Sequence, residues 1–345
     1  MHPIRFGIVG TGAIAPFHAK AIQAIEGAQL VGVASRTLES AQRFAREHQI
    51  PFVAADATQL AQHVDIDAIA ITTPSALHRE PALTAIAAGK HLMIEKPIDA
   101  TVEGTDEILA AAKKRGVLVA SIFQARFGDG ARALKAALDA GRFGRLVLCS
   151  AYVKWHRTAE YYVGWKGKLA LDGGGAVINQ AIHAVDLLQW FAGMPSEVFA
   201  WTTRCVHTKI ESEDTACAAL RFPNGALGTI EASTALWPGW SRRVEICGEF
   251  GSAAMEDDDI ARWDFRNAQP EDEAIRHTRE SGAMGSGASA PMAIGFEGHL
   301  RQFEDFVEAI RENRAPIIDG YEARKAVALV RAIYDSAERG TVVRL

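Results

Sequence analysis

The chain has 345 residues, 48% of them hydrophobic and 23% charged, which is enough apolar material for about two ordinary domain cores. Its formal charge of −5 and pI near 6.1 leave no basic excess to neutralise phosphates, so nucleic-acid binding is excluded as a class. No apolar run approaches the ~18 residues of a membrane span. MHPIRFGIVG enters a strand without a leader-like layout, and Cys149, Cys205, Cys217 and Cys247 form no CxxC pair, so a cytoplasmic chain with reduced thiols and no metal is expected.

In chain order, short runs that are apolar on both faces predict strands at Ile4–Val9, Leu30–Ala34, Ala68–Thr72, His91–Ile94 and Val117–Ile122. Amphipathic helices are expected between them, at Ala76–Ala88 and Val102–Arg115. This alternation predicts βαβ units, hence an α/β Rossmann domain over residues 1–123 with a parallel, doubly wound sheet. Its ligand end lies at the C-terminal ends of the strands. From Gln124 the rhythm changes. A helix at Gly130–Ala140, a strand at Leu146–Lys154, a polar aromatic loop and a helix from about Ala176 to Phe191 come first. Strands then follow at Val198–Cys205, Thr215–Phe222, Ala226–Ser233, Ser241–Cys247 and Ser252–Glu256, with a hairpin turn at Pro223-Asn224-Gly225. Residues 124–345 therefore read as an α+β domain with a large, mainly antiparallel open sheet. The Gly, Ser and Ala-rich stretch 279–295 reads as a mobile loop, and helices at Glu297–Glu312 and Tyr321–Arg339 close the chain.

Gly10-Thr-Gly12-Ala13-Ile14-Ala15 directly follows the first strand and opens a helix, the G-x-G-x-x-A pattern of a dinucleotide pyrophosphate loop. The second strand ends at Ser35 and Arg36, where an NAD site usually places an acid for the ribose hydroxyls. A hydroxyl beside a guanidinium suits a 2′-phosphate, so NADP is expected ahead of NAD, with Thr37 capping the next helix. Further polar strand ends are expected to carry cofactor-binding residues: Thr73, Pro74 and His78 of Thr73-Pro74-Ser75-Ala-Leu-His78, where Ser75 would cap the next helix, Glu95 and Lys96 before Pro97, and Gln124, which with Arg126 would contact the cofactor or lock the two domains. Lys96, at a buried strand end beside a proline, would otherwise have to snorkel out of the sheet.

GTGAIA, TPSALH and EKP, in this order, resemble the Gfo/Idh/MocA family of NAD(P)-dependent sugar and polyol oxidoreductases. Leu171-Asp-Gly-Gly-Gly175 with Asn179, His183 and Asp186, and the Glu297-Gly-His299 helix, extend the resemblance over essentially the whole chain. It implies that Lys96 lies beside the nicotinamide and hydrogen-bonds the reacting oxygen, and that His183 is the acid/base. The family's D-x-x-x-H aspartate is Asn179 in this chain, which keeps a hydrogen bond but cannot titrate.

The residues themselves agree with these roles. Hydride exchange at a carbinol carbon needs a proton exchanger, and an imidazole with a pKa near 6.5 suits it. On one helix Asn179 and His183 share a face, and Asp186 could orient the imidazole or serve a salt bridge. Lys154, His156, Trp165 and Lys166 mix cations with aromatic rings, as a sugar site would. Trp237 and Trp240 read as packing at a sheet edge or subunit interface, and the family implies homodimers or homotetramers. The expected activity is hydride transfer between nicotinamide and a carbohydrate, polyol or sugar-derived alcohol or ketone. A redox-assisted glycosidase or lyase holding NAD tightly, and a non-catalytic dinucleotide-binding regulator, are the alternatives.

Overall fold

A computed structural model describes residues 2–276, 288 and 295–345. Apart from Ala288 and Gly295, the stretch expected to be a mobile loop lies outside these residues. The elements are β1 (Ile4–Val9), α1 (Ala15–Ala24), β2 (Ala28–Ala34), α2 (Leu38–His48), β3 (Phe52–Val53), α3 (Ala57–Gln62), β4 (Ala68–Ile71), α4 (Arg79–Ala87), β5 (His91–Ile94), α5 (Val102–Arg115) and β6 (Val119–Ser121). They continue with α6 (Asp129–Asp139), β7 (Leu146–Lys154), α7 (Leu169–Asp172), a π-helix (Ala176–Ala181), α8 (Ile182–Ala192), β8 (Glu197–Thr203), β9 (Thr215–Arg221), β10 (Leu227–Ser233), β11 (Arg243–Gly248) and β12 (Gly251–Glu256). The last are β13 (Asp259–Phe265), α9 (Glu271–Arg276), α10 (Glu297–Glu312), α11 (Gly320–Arg339) and β14 (Val343–Arg344). No described helix is long and apolar enough to cross a membrane.

The first unit comprises residues 1–124 and 296–324. Its six strands run in the order β3-β2-β1-β4-β5-β6, every pair parallel, as the βαβ rhythm requires. The helix after Thr37 has the expected cap, the Thr37 side chain accepting from Ser40 N. The unit also recruits α10, which a single cut after residue 123 assigns to the second domain. The reason is its apolar stripe: Phe303, Phe306 and Val307 are buried in one cluster with Phe6, Ile8 and Ile22, and the Phe6 and Phe303 rings meet edge to face at 5.8 Å. Gln302 of α10 fixes the seam, donating to Ser121 O and accepting from Phe123 N.

The second unit comprises residues 125–295 and 325–345. Its eight strands run β13-β12-β11-β7-β10-β9-β8-β14, antiparallel except for the pair β7 and β10. The expected hairpin turn joins β9 to β10, with Gly225 in the left-handed region at φ 86° and Asn224 Oδ1 accepting from Ala226 N. Ala151, Val153, Ile230, Ala232, Val244 and Ile246 are buried on one face of the sheet, while Leu148, Cys217 and Trp201 on the other are exposed. Two strands of this sheet escaped the sequence reading. β13 hides behind the acid run Glu256–Asp259, where Asp257 turns the hairpin at φ 52°, and β14 is two residues long.

Candidate active site

In the first unit the site grows from the carboxyl ends of the parallel strands. Gly10 sits at φ 103°, and a β-carbon there would press within 2.9 Å of the Thr72 and Thr73 backbone, so the turn itself demands glycine. Gly12 differs: its β-carbon would meet only Thr72 O, at 4.0 Å, so this glycine leaves exposed backbone for a ligand to approach. Ala13 is exposed beside it, and α1 starts after Ile14 with no side-chain cap; its own first amides, Ala15 N and Phe17 N, turn back to Gly12 O and Ile14 O and Pro16 has none, so an anion would meet the amides of the loop before the helix. Thr11 Oγ1 and Ser35 Oγ lie 2.8 Å apart, joining the loop to the end of β2, where Arg36 is exposed.

One expected ligand residue of this unit, His78, is held by backbone carbonyls on both sides. His78 is buried with one ring nitrogen against Pro97 O (2.8 Å) and the other against Thr73 O (2.9 Å), and burial lowers its pKa despite these contacts. It ties the Thr73-Pro74 turn to the Lys96-Pro97 turn. Ser75 begins a short 3₁₀ turn, Ser75–Leu77, and does not cap α4, whose N-cap is His78. Gln124 has its Oε1 buried with no hydrogen-bond partner among the described residues.

Glu95 is buried, with His18 Nε2 at 2.8 Å from Oε1 and the Lys96 amide donating to Oε2 (3.1 Å). Burial alone would raise its pKa, but the His18 hydrogen bond and the charges of His18, His299 and Lys96 outweigh it and hold the carboxyl at about 2. His299 is pushed down to about 4, first by burial and then by the His18 charge. Ligand atoms of His18, Glu95 and His299 all lie within 4.8 Å of one another, the spacing of a metal cluster. The chemistry fits a carboxylate–imidazole pair better. One edge is already a hydrogen bond, and neither His299 nitrogen has the orienting partner that metal-bound histidines carry among the described residues. The pair ties α1, which opens on the phosphate loop, to the strand end bearing Lys96. Lys96 itself is half-buried.

In the second unit the expected α-helix from Ala176 is a π-helix over Ala176–Ala181 that runs straight into α8. The 3.6-residue face shared by Asn179 and His183 therefore does not carry over unchanged, because a π-turn winds more slowly. From Gly174 to Gln189 every residue is buried except His183, which is half-buried with its Nδ1 inside. Asp186, expected near His183, forms a buried bidentate pair with Arg126: Nε to Oδ2 at 2.7 Å and Nη2 to Oδ1 at 2.6 Å. Asp186 thus takes the salt-bridge alternative, with Arg126 of the same unit as its partner.

Asn179 is buried in a chain of polar groups. Its Nδ2 donates to Asp172 Oδ1 (2.5 Å), and its Oδ1 accepts from Tyr161 Oη (3.2 Å) and from Gln180 Nε2. Gln180 Oε1 in turn accepts from the buried Arg157 (Nη2 at 2.6 Å), while Lys166 Nζ lies 3.6 Å above the Tyr161 ring. The carboxylate missing at position 179 is therefore present one hydrogen bond away, on Asp172. Burial pushes the Tyr161 hydroxyl far up and the Tyr162 hydroxyl to about 12, so both stay protonated donors.

The four expected substrate residues divide. Lys166 joins this cluster, and Trp165 is half-buried in the same loop. Lys154 instead pairs with Glu231 (2.8 Å) on the open sheet face, in a cavity of about 410 Å³ with Trp237 and Trp240, and His156 meets the Trp237 ring at 5.0 Å. Sequence reasoning passed over Arg157, Gln180 and Asp172. The last was visible only as the acid before three glycines.

Two family models match: residues 4–123 fit the oxidoreductase family with an NAD-binding Rossmann fold, and residues 131–254 fit the GFO/IDH/MocA C-terminal domain. The WlbA dehydrogenase of Bordetella pertussis, solved with NADH and UDP-GlcNAcA, is 32% identical, with a TM-score of 0.91 over 100% of this chain and 98% of its own. The D-glucoside 3-dehydrogenase of Escherichia coli is 26% identical over 99% of this chain and 98% of its own. The scyllo-inositol 2-dehydrogenase (NAD(+)) of Bacillus subtilis is 23% identical over 100% and 97%.

Proposed function

Because this chain belongs to the Gfo/Idh/MocA family of oxidoreductases and carries its NAD-binding fold, we propose that it moves hydride between nicotinamide and a ring hydroxyl of a sugar or sugar acid. Lys96 hydrogen-bonds the reacting oxygen, and His183 takes its proton on oxidation and returns it on reduction. The observation that carries the reading is His183 as the one residue not buried between Gly174 and Gln189. A titratable, half-buried imidazole in an otherwise buried stretch of helix suits proton exchange with a bound hydroxyl. Asn179, backed by Asp172, holds the neighbouring polar cluster in register. Ser35 and exposed Arg36, with no acid at the end of β2, favour NADP(H) over NAD(H).

The substrate to try first is a nucleotide-linked sugar acid. The relative at 32% identity over the full chain was solved with UDP-GlcNAcA, and Arg157 and Lys166 supply cationic groups beside Asn179 and Tyr161. The open sheet face, with Trp201 64% and Trp237 81% exposed, supports a homodimer or homotetramer.

The test supplies NADP⁺ or NAD⁺ with UDP-GlcNAcA, free aldoses and inositols, and follows reduced nicotinamide. The expected result is turnover with at least one sugar, lowered roughly 10²-fold or more in Lys96→Ala and His183→Ala. Turnover that survives both substitutions would overturn the assignment.

A further inference from the structure

The three glycines before the helix of Asn179 and His183 look like a ligand cradle in the sequence, yet two side chains of the protein fill the space beside them. A β-carbon on Gly174 would overlap Tyr334 Oη, and one on Gly175 would overlap the Glu213 carbonyl oxygen and lie 2.8 Å from its Oε2. Those groups are there to receive the first amides of the helix. Tyr334 Oη accepts from Gly175 N (3.3 Å) and Ile178 N (3.1 Å). The Glu213 carbonyl accepts from Ala176 N (3.1 Å), and Glu213 Oε1 accepts from Val177 N (2.9 Å) and from the Tyr334 hydroxyl (2.9 Å). A helix start leaves four N–H groups without intrahelical partners, and here all four are met from outside the helix. The carboxylate at that end also suits the helix dipole.

We propose that Glu213 and Tyr334 are positioning residues that set the register of the helix presenting Asn179 and His183. The inference rests on the proposed role of His183. Its physical basis is the π-helix, a conformation that proteins keep mostly as single turns at functional sites. Relaxing it to α-helix by one residue would rotate the segment before it by about 100° relative to the segment after it. Asn179 lies inside the π-turn and His183 beyond it, so such a relaxation would swing one past the other. The cap holds residues 175–178 from two distant points of the chain, 36 residues away at Glu213 and 156 at Tyr334, and denies the turn that relaxation.

The experiment measures kcat, KM and NADPH-binding stoichiometry for the full chain and for Glu213→Ala, Glu213→Gln and Tyr334→Phe. Glu213→Ala and Tyr334→Phe should lower kcat roughly tenfold or more per cofactor-binding chain, because misplacing reacting groups is that costly. Glu213→Gln, which keeps an acceptor, should recover most of the loss. Cofactor stoichiometry should stay at the wild-type value, which a general loss of folding would not allow. Hydrogen exchange on the wild type should find the amides of 175–178 protected. Wild-type kcat in both Glu213→Ala and Tyr334→Phe, or unprotected amides in the wild type, would overturn the inference while leaving the site reading intact. A wild-type protein that oxidises or reduces no sugar would overturn the site reading, and this inference with it.

Discussion

Glu95 in the first unit and Glu213 in the second are both buried carboxyls behind a residue of the proposed site, and their surroundings move them in opposite directions. Glu95 meets an imidazole at 2.8 Å with further positive charge around it, and stays ionised down to about 2. Among the described residues Glu213 meets neutral donors, first the Val177 amide and the Tyr334 hydroxyl, and burial raises it to about 7 despite those bonds. Equal burial thus has unequal consequences, because hydrogen bonds from neutral groups compensate a buried charge less than an opposite charge does. The lysine-bearing strand end is held by charge, and the histidine-bearing helix is held by a cap.

Three experiments test this contrast. The largest effect concerns the buried charge pair of the second unit, Arg126–Asp186, whose side chains are only 2% and 1% exposed. Removing either partner strands a buried charge, so Arg126→Ala or Asp186→Ala should cost about 3–5 kcal/mol in urea unfolding. A loss within a few tenths would show that solvent reaches the pair.

The next effect is a pair of opposite pH slopes. Glu95, depressed on folding, stabilises the native state above its unfolded pKa, and that contribution is lost as pH falls from 4.5 through about 2. Glu213, raised on folding, binds its proton more tightly when native, so stability declines as pH rises from 4.5 to about 7 and then levels. Each slope amounts to at most about 3 kcal/mol. Unfolding measured across pH should show Glu95→Gln flattening the acid limb and Glu213→Gln flattening the upper one. Flattening of the same limb by both would erase the distinction. The smallest effect is on cofactor choice: Arg36→Asp should shift the NADPH-to-NADH affinity ratio roughly tenfold toward NADH, one charged hydrogen bond's worth, in a fluorescence titration. An unchanged ratio would detach Arg36 from the 2′-phosphate.

The same contrast explains what the sequence could disclose. The first unit was legible because its signals are local: Gly10 and Gly12 are written into one turn, and the strands β1 and β5 and helix α5 fall at the bounds that their apolar patterns predict. Helix α10 was legible as a helix over Glu297–Glu312, but periodicity says only that it has an apolar face and not that Phe6 and Ile22 cover it. In the second unit the decisive partners lie far off in sequence. Asp186 is answered by Arg126 from 60 residues before it, and the triple glycine by Glu213 and Tyr334. The π-helix spans six residues, too few for its slower winding to show as a sequence period. His78 looked like a ligand because it follows a strand end, yet two carbonyls hold it inside. Lys154 shows the two-residue alternation of a strand at work: its neighbour Val153 points into the core and Lys154 to the open face.

The proposed reaction is hydride transfer from a sugar carbon to a nicotinamide that leaves the protein. Its most direct test uses the sugar selected by turnover, labelled with deuterium at the reacting carbon, and weighs the released cofactor by mass spectrometry. The account predicts one deuterium per reduced nicotinamide and one nicotinamide reduced per sugar oxidised. Sugar consumed with no net reduced cofactor, over NAD that stays bound and unexchanged, would contradict it and assign the chain to redox-assisted elimination or hydrolysis instead.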